Sequence, residues 1–267
     1  MKKCKICGSV DTIKKFQYFK KPNSEKKYST INYKKYNRNY YKCRKCDHFS
    51  GFLKMSVGNL YSSEYNNAIY SGMLKKNFNK VRKLPSFKSD NFYRVNRIHK
   101  FVKQNKNFKN TKLKILDIGS GLGIFPYQMK KKNYHITALD PDRRSCDHIK
   151  KNLGIKAIHG DFLKTKIKTK FNLITLNKVV EHIAHPEKMI KKVKKNLVLG
   201  GIIYIEVPDI SAQKKGKSRE EFHIDHLHIF SKKSLMHLTA KQNLKCILIK
   251  SIKEPSGKFT VFGFFKY

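Results

Sequence analysis

The pattern of apolar and polar positions changes character twice along the chain. Up to about residue 50, aromatic and polar residues mix loosely between two pairs of cysteines, and residues 16–19 and 33–41 read as short ribbon strands. From 52 to about 110 the chain is polar with scattered aromatics, among them Tyr61, Tyr65, Tyr70, Phe92 and Tyr93. There Val95, Ile98, Phe101 and Val102 recur at helical spacing and predict one amphipathic helix. The tyrosines are read as core or interface residues, with the lining of a substrate mouth as the alternative. Beyond Thr111 short apolar runs alternate with helical stretches. Strands are expected at 113–118, 135–139, 156–159, 171–176 and 201–207, and helices at 125–132, 143–153 and 186–197. Ser231 then caps a helix over 232–241, and strands at 245–252 and 258–266 close the pattern around Glu254-Pro255-Ser256-Gly257.

Alternating strands and helices imply right-handed crossovers and a parallel sheet covered on both faces. The closing pair is a hairpin, so the final strand should run antiparallel to its neighbour. The expected fold class is therefore α/β, a Rossmann-like seven-stranded sheet with an antiparallel final strand, preceded by a small module. The division expected is a module over 1–50, a linker and helical substrate-side segment over 51–110, and the α/β domain over 111–267.

Cys4, Cys7, Cys43 and Cys46 give C-x2-C, a gap of 35 residues, and C-x2-C. Two such knuckles bring four thiolates to one ion in tetrahedral geometry, and Gly8 permits the tight turn after Cys7. A structural Zn²⁺ is expected, stabilising a segment too small to bury its own core. Disulfides are disfavoured because nothing routes the chain to an oxidising compartment, and a redox C-x-x-C lacks a helix-start context. His48 reads as a bystander, and Cys146 and Cys246 as buried thiols.

The chain of 267 residues carries 60 Lys+Arg against 18 Asp+Glu, a formal charge of +42. Of the basic residues 52 are Lys and 8 are Arg, the balance expected of A/T-biased codon usage rather than of a nucleic-acid reader, which favours the planar Arg fork. The charge is read as solvated surface or as attraction for a small anionic substrate, with RNA or DNA binding as the lesser reading. Runs such as 201–207 are too short for a membrane span, and no apolar stretch of signal-peptide length follows Met1. A cytoplasmic location is expected.

Asp117-Ile118-Gly119-Ser120-Gly121-Leu122-Gly123 stands where a strand meets a helix. Its glycines allow a tight turn and close approach of a ligand, but Ile124 occupies the position where the dinucleotide fingerprint needs Gly. This spacing resembles the first motif of class I S-adenosylmethionine-dependent methyltransferases, over roughly 111–267. Asp140, ending the second strand, is placed to accept both hydrogen bonds of a ribose diol. In similar enzymes the position of Asp161 holds the adenine amino group and a neighbouring apolar side chain, here Phe162, covers the ring. The resemblance implies a cofactor site formed by Asp117, Gly119, Gly121, Gly123, Asp140, Asp161, Phe162 and Asn177. The segment from Leu176 to Ile183 resembles the V-x-E-H segment of small-molecule methyltransferases. It lacks N-P-P-Y or D-P-P-Y, which counts against base or amide N-methylation. Glu181 and His182 are read either as substrate-facing or as a helix cap and a packed ring.

Three His and three acids fall within the nine residues from Glu220 to His228. A His paired with a carboxylate is a usable general base near neutral pH, while a second metal site and a structural loop over the cofactor are competing readings. The segment looks like the E-H-x-x-Y-F-S stretch of zinc-containing sugar C-methyltransferases, which also begin with a cysteine-rich module. Asp225 and His226 match that Glu-His pair, His223 replaces an upstream tyrosine, and Ile229 replaces the Tyr before Phe-Ser. The sequence also stops at Tyr267, without the further domain those enzymes carry. The expectation is O- or C-methylation of a sugar, nucleotide sugar or other small anionic metabolite, in carbohydrate biosynthesis, with catalytic His226, Asp225 and His223. The alternatives are a zinc-module RNA methyltransferase and a non-enzymatic interaction protein.

Overall fold

The computed structural model describes residues 2–55, 73–108 and 112–267. Tyr61, Tyr65 and Tyr70 lie outside the described residues. Three antiparallel strands open the chain, β1 (Thr12–Tyr18), β2 (Arg38–Cys43) and β3 (Phe49–Leu53). The expected strand over 33–41 starts late, because Tyr33–Lys35 forms a 3-10 turn capped by the Asn32 side chain. β3 was not expected, since Phe49-Ser50-Gly51-Phe52-Leu53 is short and lies beyond the second cysteine pair.

Two helices follow, α1 (Leu74–Arg82) and α2 (Asp90–Gln104). α2 is the expected amphipathic helix, capped by Ser89 and burying Val95, Ile98 and Val102. Then come β4 (Lys114–Ile118), α3 (Ile124–Lys131), β5 (His135–Asp140), α4 (Arg143–Leu153), β6 (Lys156–His159), β7 (Phe171–Asn177), α5 (Pro186–Lys195) and β8 (Leu197–Pro208). After a two-residue strand, β9 (His228–Ile229), the chain closes with α6 (Lys232–Ala240), β10 (Lys245–Lys253) and β11 (Phe259–Lys266). The helix expected over 186–197 stops at Lys195 because Leu197 already pairs with Phe171 at the start of β8.

The main sheet has the order β10-β11-β8-β7-β4-β5-β6. Strands β4 to β8 pair in parallel, and β11 runs antiparallel to both neighbours. This is the Rossmann-like seven-stranded architecture expected from the alternation. Two apolar layers cover it, one with Phe171, Ile174, Ile190 and Val193, the other with Ile98, Ile115, Met129 and Ile149. The carboxyl ends of β4, β5, β7 and β8 therefore meet along one edge, where such sheets bind ligands.

The second sheet has the order β1-β2-β3-β9, so its fourth strand comes from the segment between β8 and α6. Tyr18, Tyr28, Tyr36, Tyr40 and Phe49 share one buried cluster with Phe222, Ile224 and Ile229. The amino-terminal module is thus too small to close its core alone, and the His-rich segment completes it. No helix among the described residues is long and apolar enough to cross a membrane.

Candidate active site

The four cysteines of the module converge. Cys4 Sγ lies 3.6 Å from Cys46 Sγ and Cys7 Sγ lies 3.5 Å from Cys43 Sγ, none of them in a disulfide. All four sulfurs fall within 4.8 Å of one another. Each knuckle is closed by a left-handed residue, Gly8 at φ 78° and Asp47 at φ 60°. This donor set and spacing fit a tetrahedral soft-ligand ion. His48 stays out of it: fully buried, its Nε2 lies 3.0 Å from His228 Nδ1, linking β3 to β9. Cys146 is buried and Cys246 half-buried, and neither belongs to the group of four.

The glycine turn after β4 is built as the motif demands. Gly119, Gly121 and Gly123 have φ of 72°, 50° and 75°. A Cβ on Gly119 would stand 2.6 Å from Val179 Cγ2, so only glycine fits there. Asp117 is 1% exposed and holds the base of the turn, accepting from Thr175 Oγ1 at 2.7 Å, Asn177 Nδ2 at 2.8 Å and Ser120 Oγ at 2.8 Å. Asn177 Oδ1 is left buried without a hydrogen-bond partner, an acceptor that a ligand in the turn would satisfy.

Asp140 is buried at the lip of the same turn. Its Oδ2 accepts the Gly121 N–H at 2.7 Å and its Oδ1 the Asp142 N–H at 2.8 Å. Burial pushes this carboxyl up to about 6, against the pull of those two N–H groups. Asp161 is exposed, its Oδ1 accepting the Leu163 N–H at 2.8 Å. Phe162, beside Asp161, is 3% exposed and packs in the core cluster with Leu139, Leu176 and Val193.

Beside this turn lies a cavity of about 360 Å³. Its walls come from the module (Ser24, Lys26), α2 (Arg94), the carboxyl end of β7 (Lys178, Glu181, His182) and the segment carrying His223, Asp225 and His226. Lys178 directly follows Asn177 and sits at φ 57°, a strained conformation that turns the chain out of the sheet into the cavity. Its Nζ donates to Thr260 Oγ1 at 2.6 Å. Arg94 is held by the fully buried Glu206, which accepts from Arg94 Nε at 3.0 Å and from Tyr204 hydroxyl at 2.7 Å. Burial works against the charge on Glu206, but Arg94, Lys178 and Arg97 hold its carboxyl well below the usual range.

His226 Nδ1 lies 3.0 Å from the Glu221 carbonyl, which can only accept, so the ring donates from Nδ1 and in its neutral form has its lone pair on Nε2. Asp225 Oδ2 is 3.8 Å from that Nε2. Burial alone would raise the Asp225 carboxyl, but His226, His182 and His223 around it hold it below its ordinary value, so it is ionised. His223 is placed differently, its Nε2 3.1 Å from Ser24 Oγ of the module, and burial lowers it to about 4, leaving it neutral. The sequence reading brought His223, Asp225 and His226 to one wall but missed Arg94, Lys178 and Lys26, which line the same cavity.

A model of the methyltransferase-domain family matches residues 87–249, over half the chain. The chain belongs to this methyltransferase family. It is 32% identical over 103 residues to the mitochondrial ubiquinone biosynthesis O-methyltransferase of Schizosaccharomyces pombe, a match covering 33% of this chain and 38% of that protein. It is 39% identical over 57 residues to the ribosomal RNA small subunit methyltransferase A of Cytophaga hutchinsonii, covering 20% of this chain and 22% of that one. The chain thus matches well under half the length of both curated relatives. Its fold is similar to that of the 1,6-didemethyltoxoflavin-N1-methyltransferase of Burkholderia thailandensis, with a TM-score of 0.54, 12% identity, and coverage of 81% of this chain and 95% of that one.

Proposed function

We propose that the protein transfers a methyl group from S-adenosylmethionine to an oxygen or carbon of a sugar, nucleotide sugar or other small anionic metabolite. The observation that carries this reading is the cavity that joins the glycine turn through consecutive residues, Asn177 on the cofactor side and Lys178 on the acceptor side. Its volume suits one small molecule. Its lining carries both signs, Lys26, Arg94, Lys178 and Lys258 against Asp90, Glu181, Glu220, Glu221 and Asp225, which suits a polar acceptor whose anionic group meets the lysines and arginine.

Gly119, Gly121 and Gly123 let the backbone close on the cofactor, Asp140 takes its ribose hydroxyls, Asp161 reaches its base, and Asn177 Oδ1 accepts from its amino acid end. The bound cofactor supplies an electrophilic methyl on a sulfonium, a leaving group that needs no acid. His226 Nε2 takes the acceptor proton, and ionised Asp225 stabilises the imidazolium that forms. Most of the rate then comes from alignment and from excluding water. The four cysteines hold a structural Zn²⁺ that fixes the module forming one wall of the cavity.

Incubation with methyl-labelled cofactor and separate pools of nucleotide sugars, glycans and RNA tests the reading. Label in the first two pools is expected. Label in RNA alone, with binding that weakens steeply in salt, would establish the RNA reading instead.

A further inference from the structure

Glu181 is the least explained side chain of the cavity. It is 0% exposed, yet neither carboxylate oxygen has a hydrogen-bond partner among the described residues. A buried, unsatisfied carboxylate is costly, and a fold retains one where a ligand completes it. Its neighbours are two imidazoles in matching states. His182 Nδ1 lies 2.7 Å from the Asp225 carbonyl, as His226 Nδ1 lies 3.0 Å from the Glu221 carbonyl. Both rings therefore donate from Nδ1 to a backbone acceptor, which in the neutral ring puts the lone pair on Nε2, the tautomer that outer-sphere carbonyls impose on metal-bound histidines. One donor atom from each of Glu181, His182 and His226 lies within 4.8 Å of the others.

We infer that Glu181, His182 and His226 form a binding site for a divalent transition-metal ion, separate from the cysteine cluster, on the wall of the acceptor cavity. Two imidazoles and one carboxylate suit Zn²⁺ and its neighbours in the first transition row, and three protein ligands leave a coordination position open. All three residues line the cavity, so that position faces the acceptor. Asp225, 3.8 Å from His226 Nε2 and 4.0 Å from His182 Nδ1, adds a second negative charge beside the ion. In its role the inference rests on the proposed function and deepens it. An acceptor hydroxyl oxygen occupies the open position and loses its proton to water. Its electron pair then forms the bond to the methyl carbon as the methyl–sulfur bond breaks, releasing the neutral thioether. Where the ion is bound, His226 serves as its ligand and the ion acidifies the acceptor, whereas proton transfer to His226 Nε2 belongs to the ion-free site. The acceptors favoured are those with an acidic hydroxyl beside a second oxygen donor.

The test is metal content of the full chain after equilibration with Zn²⁺ and removal of loose ions. The wild type is expected to hold one equivalent more than Glu181→Gln and one more than His226→Ala, with calorimetry showing the same cofactor binding in all three. Co²⁺ added to the wild type with its cysteines already filled by zinc gives a reading independent of variant folding. Visible bands without thiolate charge transfer are expected. Equal zinc in wild type and both variants, or no Co²⁺ spectrum, overturns the site. Absence of cofactor binding by the wild type would instead remove the methyltransferase role and leave the metal count to stand by itself.

Discussion

The Tyr40 hydroxyl donates to the backbone carbonyl of His226 at 2.5 Å, with the carbonyl of His223 3.0 Å away. Tyr40 stands on β2 of the amino-terminal module and His226 on the wall of the cavity. The same loop is gripped twice more. Buried Glu25 accepts the Ile224 N–H at 2.8 Å and pairs with Arg38 at 2.8 Å, and Arg38 donates to the Phe222 carbonyl. The module is thus part of the scaffold of the cavity proposed to take the acceptor, which explains how residues far apart in sequence share one core.

Replacing Tyr40 with Phe keeps the ring and removes the donor, leaving the His226 carbonyl short of a partner while the His223 carbonyl still accepts the His226 N–H at 3.0 Å. The expected cost is about 1–3 kcal/mol of stability. Turnover should fall while cofactor affinity stays, because the glycine turn makes no use of Tyr40. Thermal melts and calorimetry on the same variant check both halves, and an unchanged turnover would separate the module from the site.

His226→Ala is expected to depress kcat by about 10²–10⁴-fold, the range for loss of a positioned acid–base group, with cofactor binding nearly intact. Calorimetry with the cofactor decides the assignment, since a collapse of affinity would move His226 from the acceptor side to the cofactor side.

Removal of the ion proposed for the four cysteines should act at a distance. Chelation, or Cys43→Ser, frees the knuckle that precedes β3 and with it the seam to β9. The expected result is loss of turnover before loss of cofactor binding, read as activity and calorimetric affinity on the same chelated sample. Full activity in protein shown by mass spectrometry to hold no zinc would end the structural-zinc reading.

Much of the main sheet was legible because its signals are local. Apolar runs ended by Gly or Asp mark the strands, and 143–153 and 156–159 fall at the expected boundaries. The cysteine cluster was legible for the same reason. Contacts between distant segments were not. Nothing in the sequence joins Phe49 to Ile229 or Tyr40 to His226, and a two-residue strand such as β9 has no periodicity to read. One signal went unused. In a chain with 52 Lys and 8 Arg, Arg38, Arg94, Arg97 and Arg219 each pair with a buried Glu, at Glu25, Glu206, Glu254 and Glu221. Where lysine is the default cation, a retained arginine marks a place that needs a fixed planar fork.

Gly119→Ala tests the turn sterically. The left-handed φ of 72° and the 2.6 Å approach to Val179 Cγ2 both oppose a methyl group. Cofactor affinity should drop at least about tenfold, for about 1.4 kcal/mol of misfit, whereas Gly257→Ala, left-handed but with open space around it, should leave affinity unchanged.

Asp140 gives the pH dependence. Burial raises its carboxyl to about 6 in the folded protein, from an ordinary value of 3.8. In the free protein a raised carboxyl favours the protonated form, so its contribution to stability is complete below about pH 4 and is lost as pH rises through about 6. Ribose hydroxyls donating to Asp140 need the ionised form, so the cofactor works in the opposite sense. Affinity should be full above pH 6 and fall with each unit of acid below it, with uptake of close to one proton on release of the cofactor near pH 5. Calorimetry in buffers of different ionisation enthalpy measures that proton. Asp140→Asn should bind weakly at every pH and abolish the linkage. If the linkage survived in that variant, the titrating group would be Asp117, whose buried carboxyl is also raised to about 6 but is turned inward to Thr175, Asn177 and Ser120.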